Sequence, residues 1–116
     1  MKISDFFRKL KTTPEEVSFE DTMNTIEESY DFAATAFENG TLSNEEGQNS
    51  GSCKLFYFAK LNDLTEEETL FCFGNYYRID VLEHPEGEDH QNIRNFMKTG
   101  WTGVSFKKQA LFEKQI

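Results

Sequence analysis

Residues 53–61, Cys53-Lys54-Leu55-Phe56-Tyr57-Phe58-Ala59-Lys60-Leu61, carry the reading on which the fold turns. Laid on a helix, their apolar side chains point almost all round the axis, and only Lys54 and Lys60 are charged. A helix with that distribution belongs at the centre of a core. The run is aromatic enough for a core strand as well, and periodicity alone does not separate the two. It continues through Leu64 without a strand-type break, so it reads as a helix capped by Ser50 or Ser52.

Outward to the C-terminal side, Thr65-Glu66-Glu67-Glu68 has the spacing of a capping box. The helix expected behind it carries Leu70, Phe73, Tyr77 and Val81 on one stripe and ends at Pro85. Gly74 interrupts it, marking close packing or a kink. Glu86-Gly87-Glu88 reads as a turn, Asp89 as the cap of a last helix running to about Lys98 or Thr99, and Gly100 as its C′ stop. Gly103-Val104-Ser105-Phe106 is extended, and the tail from Lys107 onward is expected to be loose.

On the N-terminal side, Ile3, Phe6, Phe7 and Leu10 recur at the spacing of one helical face. With Asp5 among its basic residues, this short helix is expected to pack on the core and not to lie on a membrane. Thr13-Pro14-Glu15-Glu16 reads as a first helix start and Ser18-Phe19-Glu20-Asp21 as a second, with a main helix at about 19–30. Residues 31–37 alternate like a short strand able to pair with 103–106. Asn39-Gly40 is a turn signal, and 41–52 is polar and reads as the main loop.

These elements predict one domain over residues 1–116, mainly α with α+β character at the margin. The architecture is a compact bundle of about five helices with a small two-stranded antiparallel ribbon. Twelve phenylalanines supply the bulk of a core, and a chain of 116 residues needs no disulfide or metal staple. Cys53 and Cys72 sit in apolar runs and read as buried reduced thiols, a bridge staying open if the chain is exported. No apolar run reaches the ~20 residues of a membrane span, and the first residues lack a signal-peptide pattern. The formal charge is −9, and no lysine or arginine lies between Lys11 and Lys54. That acidic N-terminal half argues against nucleic acid and anionic lipid as partners. It reads first as a solvated face, and its functional use would be docking a basic protein.

The chain also resembles the HopJ type III effector family. The resemblance rests on Thr35-Ala36-Phe37-Glu38-Asn39-Gly40, Asn49-Ser50-Gly51-Ser52-Cys53, Thr69-Leu70 and Phe73-Gly74-Asn75-Tyr76-Tyr77-Arg78. It continues through Val81-Leu82, Asp89-His90-Gln91-Asn92-Ile93-Arg94-Asn95-Phe96-Met97 and Gly100-Trp101, spanning nearly the whole chain. Ala34 departs from the proline expected before Thr35, which loosens the strand entry. The resemblance implies a bacterial protein, injected into a host cell by a type III system, and brings no catalytic residues with it. A secretion signal would be flexible and polar, whereas residues 2–11 read as a folded helix, so a role in the bacterial cytoplasm stays open.

Three constellations are candidates for chemistry. The first joins Asp89, His90, Asn92 and Arg94 to Tyr76, Tyr77 and Arg78. His90 and Arg94 share a helix face, the helix start favours an anion, and Arg94 with Arg78 would clamp a small anionic ligand. The competing account makes Asp89 a cap, His90 a surface residue and Arg94 the partner of a nearby acid. The second makes Cys53 a nucleophile with His90 and Asp89, against the commoner reading of an inert buried thiol. The third is the ligand-dense run 83–90, which matches no metal-site spacing, so no resident metal and no cofactor are expected. Asn39, Asn44 and Asn49 flank the loop and would line a polar pocket if it folds over the His90 helix. The leading expectation is a non-enzymatic protein- or ligand-binding domain. The alternative is a small hydrolase or transferase using His90, Asp89 and Arg94, with or without Cys53.

Overall fold

A computed structural model describes residues 1–114. Five α-helices run in chain order: α1 (Ile3–Thr12), α2 (Phe19–Ser29), α3 (Ser50–Leu61), α4 (Glu66–Phe71) and α5 (Gln91–Thr99). Among the described residues the strands are β1 (Tyr30–Phe32), β2 (Phe37–Asn39), β3 (Leu42–Asn44), β4 (Val104–Phe106) and β5 (Leu111–Glu113).

The apolar run at 53–61 is the central helix, as its pattern requires. On α3, Cys53, Leu55, Phe56, Phe58 and Ala59 are all buried. Phe58 faces Phe6 and Phe7 of α1 and Tyr30, with ring centroids 5.8–6.0 Å apart. Phe56 faces the other way and meets Phe73 at 5.4 Å, Phe96 of α5 at 4.9 Å and Trp101 at 6.4 Å. One helix therefore ties both halves of the chain together, and each fully buried phenylalanine contributes roughly 2–3 kcal/mol. The α1 stripe packs on the core through buried Phe6 and Leu10.

Local chemistry starts some helices as expected. Thr65 and Glu68 close a capping box, and so do Ser18 and Asp21 at α2. Gly100 leaves α5 with φ +60°. Other starts differ. Thr13 does not cap; a single 3₁₀ turn at Pro14–Glu16 precedes α2. Neither Ser50 nor Ser52 caps α3, and Asp89 does not cap α5; the entries are Asn49 and His90, both left-handed. The helix expected from Glu66 to Pro85, with Gly74 as a kink or a close contact, stops at Phe71. Gly74 has φ +63°, and a Cβ there would stand 2.7 Å from the Phe19 backbone nitrogen, so the chain turns tightly against the start of α2. It resumes as a π-helical segment, Tyr76–Val81.

The β structure is richer than one ribbon. Residues 31–37 are not one strand: β1 ends at Phe32 and β2 begins at Phe37. β2 pairs with β4 in the register Phe37–Phe106 and Asn39–Val104, the pairing expected of 103–106. The polar stretch 41–52 is not all loop, because a two-residue turn at Gly40–Thr41 brings β3 back onto β2 as a third strand. The tail is not loose either. Through Leu111–Glu113 it pairs with β1, and Ala110 and Leu111 are fully buried; residues 115–116 lie outside the described residues. The fold is a helix-dominated α+β arrangement with two small antiparallel sheets.

Candidate functional site

The N-termini of α3 and α5 open onto one cleft of about 390 Å³. Asn49 and Gly51-Ser52 line it from α3, and His90, Gln91 and Asn92 from α5. Phe19 and Phe73 supply apolar wall, stacked at 6.3 Å, and Tyr76 stands against Phe19 at 5.2 Å and the His90 ring at 5.1 Å. Asn49 (φ 53°) and His90 (φ 50°) enter their helices in the left-handed region, and neither side chain caps the helix it starts. Among the described residues no hydrogen bond is made by the backbone N–H groups of Ser50, Gly51, Ser52, Gln91 or Asn92. Unpaired N–H groups at a helix start carry partial positive charge and favour an anion.

Asparagines fix the angle between these helix starts. Asn39 Nδ2 donates to Asn92 O (2.7 Å) and Oδ1 (3.1 Å). Asn92 Nδ2 donates to Asn44 Oδ1 at 3.0 Å, and Asn49 Nδ2 to that same oxygen at 2.7 Å. Asn39, Asn44 and Asn92 are buried, so β2, β3 and the starts of α3 and α5 are joined by a network of side-chain amides. In low dielectric each such bond is strong and each loss costly. Asn39 Oδ1 is the one buried side-chain polar atom among the described residues without a partner.

His90 Nε2 lies 3.0 Å from Asp80 Oδ2, on the π-helical segment, and 3.8 Å from Asp89 Oδ2. Asp89 Oδ1 accepts from Arg94 Nη2 at 2.7 Å, and this bond holds the Asp89 carboxyl below its ordinary range. Arg94 is 8% exposed. Its remaining N–H groups donate to the carbonyls of Asp80, His84, Pro85 and Asp89, which uses all of the guanidinium's donors.

The candidate residues therefore separate into groups. His90, Asn92, Asn49 and Tyr76 meet at the cleft. Asp89 and Arg94 stand behind His90 as its brace. Arg78 points elsewhere, donating to the carbonyls of Pro14 and Val17 and to Asn75 Oδ1, so no Arg78–Arg94 clamp forms. Tyr77 packs edge-on against Phe71, and burial pushes its phenol up. Cys53 is buried, with its sulfur 3.9 Å from Thr35 O, and desolvation pushes its thiol up, against a thiolate role. Burial raises Cys72 to about 12, and both cysteines are free. Asp80 and Ser52 escaped the sequence reading. Asp80 is ten residues before His90 across a turn, a spacing with no periodic signal. Ser52 reads as a cap, though its position beside Cys53 on a helix start is a visible cue.

A family model described as HopJ type III effector protein matches residues 3–111. The chain belongs to the HopJ type III effector family. This HopJ chain is also similar to a solved crystal structure, that of VPA0580, a protein of unknown function. The two are 53% identical, the match covers 98% of this chain and 95% of that one, and the TM-score is 0.96. No curated protein matches it. Among its described residues no helix is long and apolar enough to cross a membrane.

Proposed function

We propose that this HopJ domain is a non-enzymatic binding domain that takes a small anion, a carboxylate or phosphate group, between the starts of α3 and α5. The carrying observation is the convergence of two uncapped helix N-termini on one cleft, with five backbone N–H groups lacking partners. His90 supplies an imidazole to the same space, Asn49 and Asn92 supply amides, and Tyr76 with Phe19 offers an apolar flank. Arg94 contributes by bracing Asp89 and the turn before α5, and makes no contact with the anion. As an effector-family protein, the domain would act inside a host cell. Its exposed acidic residues, among them Glu20, Glu27, Glu28 and Glu38, are the face on which a basic partner would dock.

The test is an NMR titration of the chelator-treated protein with inorganic phosphate and with acetate. The amides of Gly51, Ser52, Gln91 and Asn92 should move together and saturate, and Ser52→Glu, which places a carboxylate at the cleft, should abolish the response. Shifts confined to lysine-rich surface, or unchanged by Ser52→Glu, would refute the reading.

A second reading, a small hydrolase or transferase, is favoured by one contact. Asp80 stands 3.0 Å from the His90 ring, and His90 and Ser52 both line the cleft. Asp80 then takes the role expected of Asp89, and Ser52 is better placed than Cys53. Ester or phosphoester hydrolysis lost in both His90→Gln and Ser52→Ala would establish it.

A further inference from the structure

We propose that Asp80, Asp89 and His90 bind a divalent transition-metal ion at the edge of the cleft. The site is independent of the anion reading, since it uses the Nε2 edge of His90 and two carboxylates outside the cleft lining. The run 83–90 by itself matches no metal-ligand spacing, so no metal is expected from it alone. The third ligand, Asp80, is brought in by the π-helical segment, an element often found at functional sites.

Geometry comes first. The donor atoms of the three residues lie within 4.8 Å of one another, with Asp80 Oδ2 at 3.0 Å and Asp89 Oδ2 at 3.8 Å from His90 Nε2. Ligands about 2.0–2.2 Å from a common ion stand roughly 3.0–3.5 Å apart, so His90 and Asp80 already have ligand spacing and Asp89 would close in. A histidine–aspartate hydrogen bond explains Asp80. Asp89, with Oδ1 held by Arg94, presents its second oxygen towards the same nitrogen.

The surroundings then favour a cation. Two carboxylates are held together, and the one arginine touching them reaches only Asp89 Oδ1 and has no N–H left to give. Asp80 has no ion-pair partner among the described residues except the imidazole. The ligands are also braced from behind: Arg94 holds Asp89, and Tyr76 lies against the His90 ring. Such supporting contacts orient metal ligands elsewhere. One imidazole with two carboxylates suits Zn²⁺ or Mn²⁺ better than Ca²⁺, which takes oxygen ligands alone. Coordination through Nε2 requires the imidazole in its Nδ1–H form. Coordination positions would remain open to solvent and to an anion in the cleft.

The experiment is calorimetric titration of the chelator-treated chain with Zn²⁺ and with Mn²⁺, no anion present. One equivalent should bind, and His90→Gln and Asp80→Asn should each weaken binding more than about tenfold. His84→Gln, which removes the other histidine, should match the wild type. In wild-type imidazole ¹H–¹⁵N spectra, Zn²⁺ should move the His90 Nε2 signal and leave His84 in place, a readout that stands even if a variant misfolds. No saturable binding, His90→Gln binding like wild type, or His84 moving instead would overturn the proposal. Because the phosphate titration is run with metal removed, either idea can fail without the other.

Discussion

Asn92 shows how one side chain holds this site. It sits at the start of α5, is buried, and exchanges hydrogen bonds with Asn39 and Asn44 from two strands. Asn92→Ala would remove these three buried side-chain hydrogen bonds, although Asn39 Nδ2 keeps the Asn92 carbonyl and Asn44 keeps Asn49 Nδ2 and Phe37 O, and each bond lost contributes about 0.5–1.5 kcal/mol. Urea unfolding should therefore show a loss of about 2–3 kcal/mol, with the transition still cooperative. Residue types at this scale were partly legible. The asparagines around 39–49 point to a polar pocket, and His90 stands out as a site candidate. What each side chain touches was not legible. Arg94 is spaced from His90 like an anion clamp, yet it spends its donors on carbonyls and on Asp89, the nearby acid that the competing account gives it.

At the scale of elements, the decisive departures occur where the chain meets itself. Gly74 was readable as a break or a close approach, but the choice depended on α2. Its φ of +63° and the nearness of Phe19 N and Ser18 backbone atoms leave no room for a side chain. Gly74→Ala should lower stability by about 2 kcal/mol or more, since it adds left-handed strain to a backbone clash. A parallel fall in the proton-exchange protection of α2 would locate the damage at that contact. The strands behaved similarly. Phe37–Asn39 and Val104–Phe106 carried their own pattern, whereas Leu42–Asn44 and Leu111–Glu113 are too short and mixed to declare themselves. They become strands because β2 and β1 present open edges to them.

Across the whole molecule, charge governs the response to pH. Asp21 feels burial most strongly, which pushes its carboxyl up, but bonds and attraction from Lys9 and Ser18 together outweigh it and hold it below its ordinary value. The amino terminus lowers Glu28, and Arg94 lowers Asp89. A carboxyl depressed in the folded state stabilises fully above its unfolded value, about pH 4, and loses that contribution as pH falls through the lower folded value. Urea midpoints should therefore drop below about pH 4. Asp21→Asn should lie below wild type at pH 7 and converge with it in acid, where both carry no charge at that position. A gap that persists in acid would mean that Asp21 acts through packing and not through its charge.

The sequence by itself settled the central α3 helix, the amphipathic α1, the capped starts of α2 and α4, the end of α5 and the acidic face. Each depends on residues within a few positions of one another or on composition. Tertiary structure alone decided the split of 31–37 between two sheets, the pairing of the tail, and the meeting of two helix starts with Asp80 beside His90. Those relations join residues far apart in the chain and form only when their elements pack together, so no local pattern encodes them.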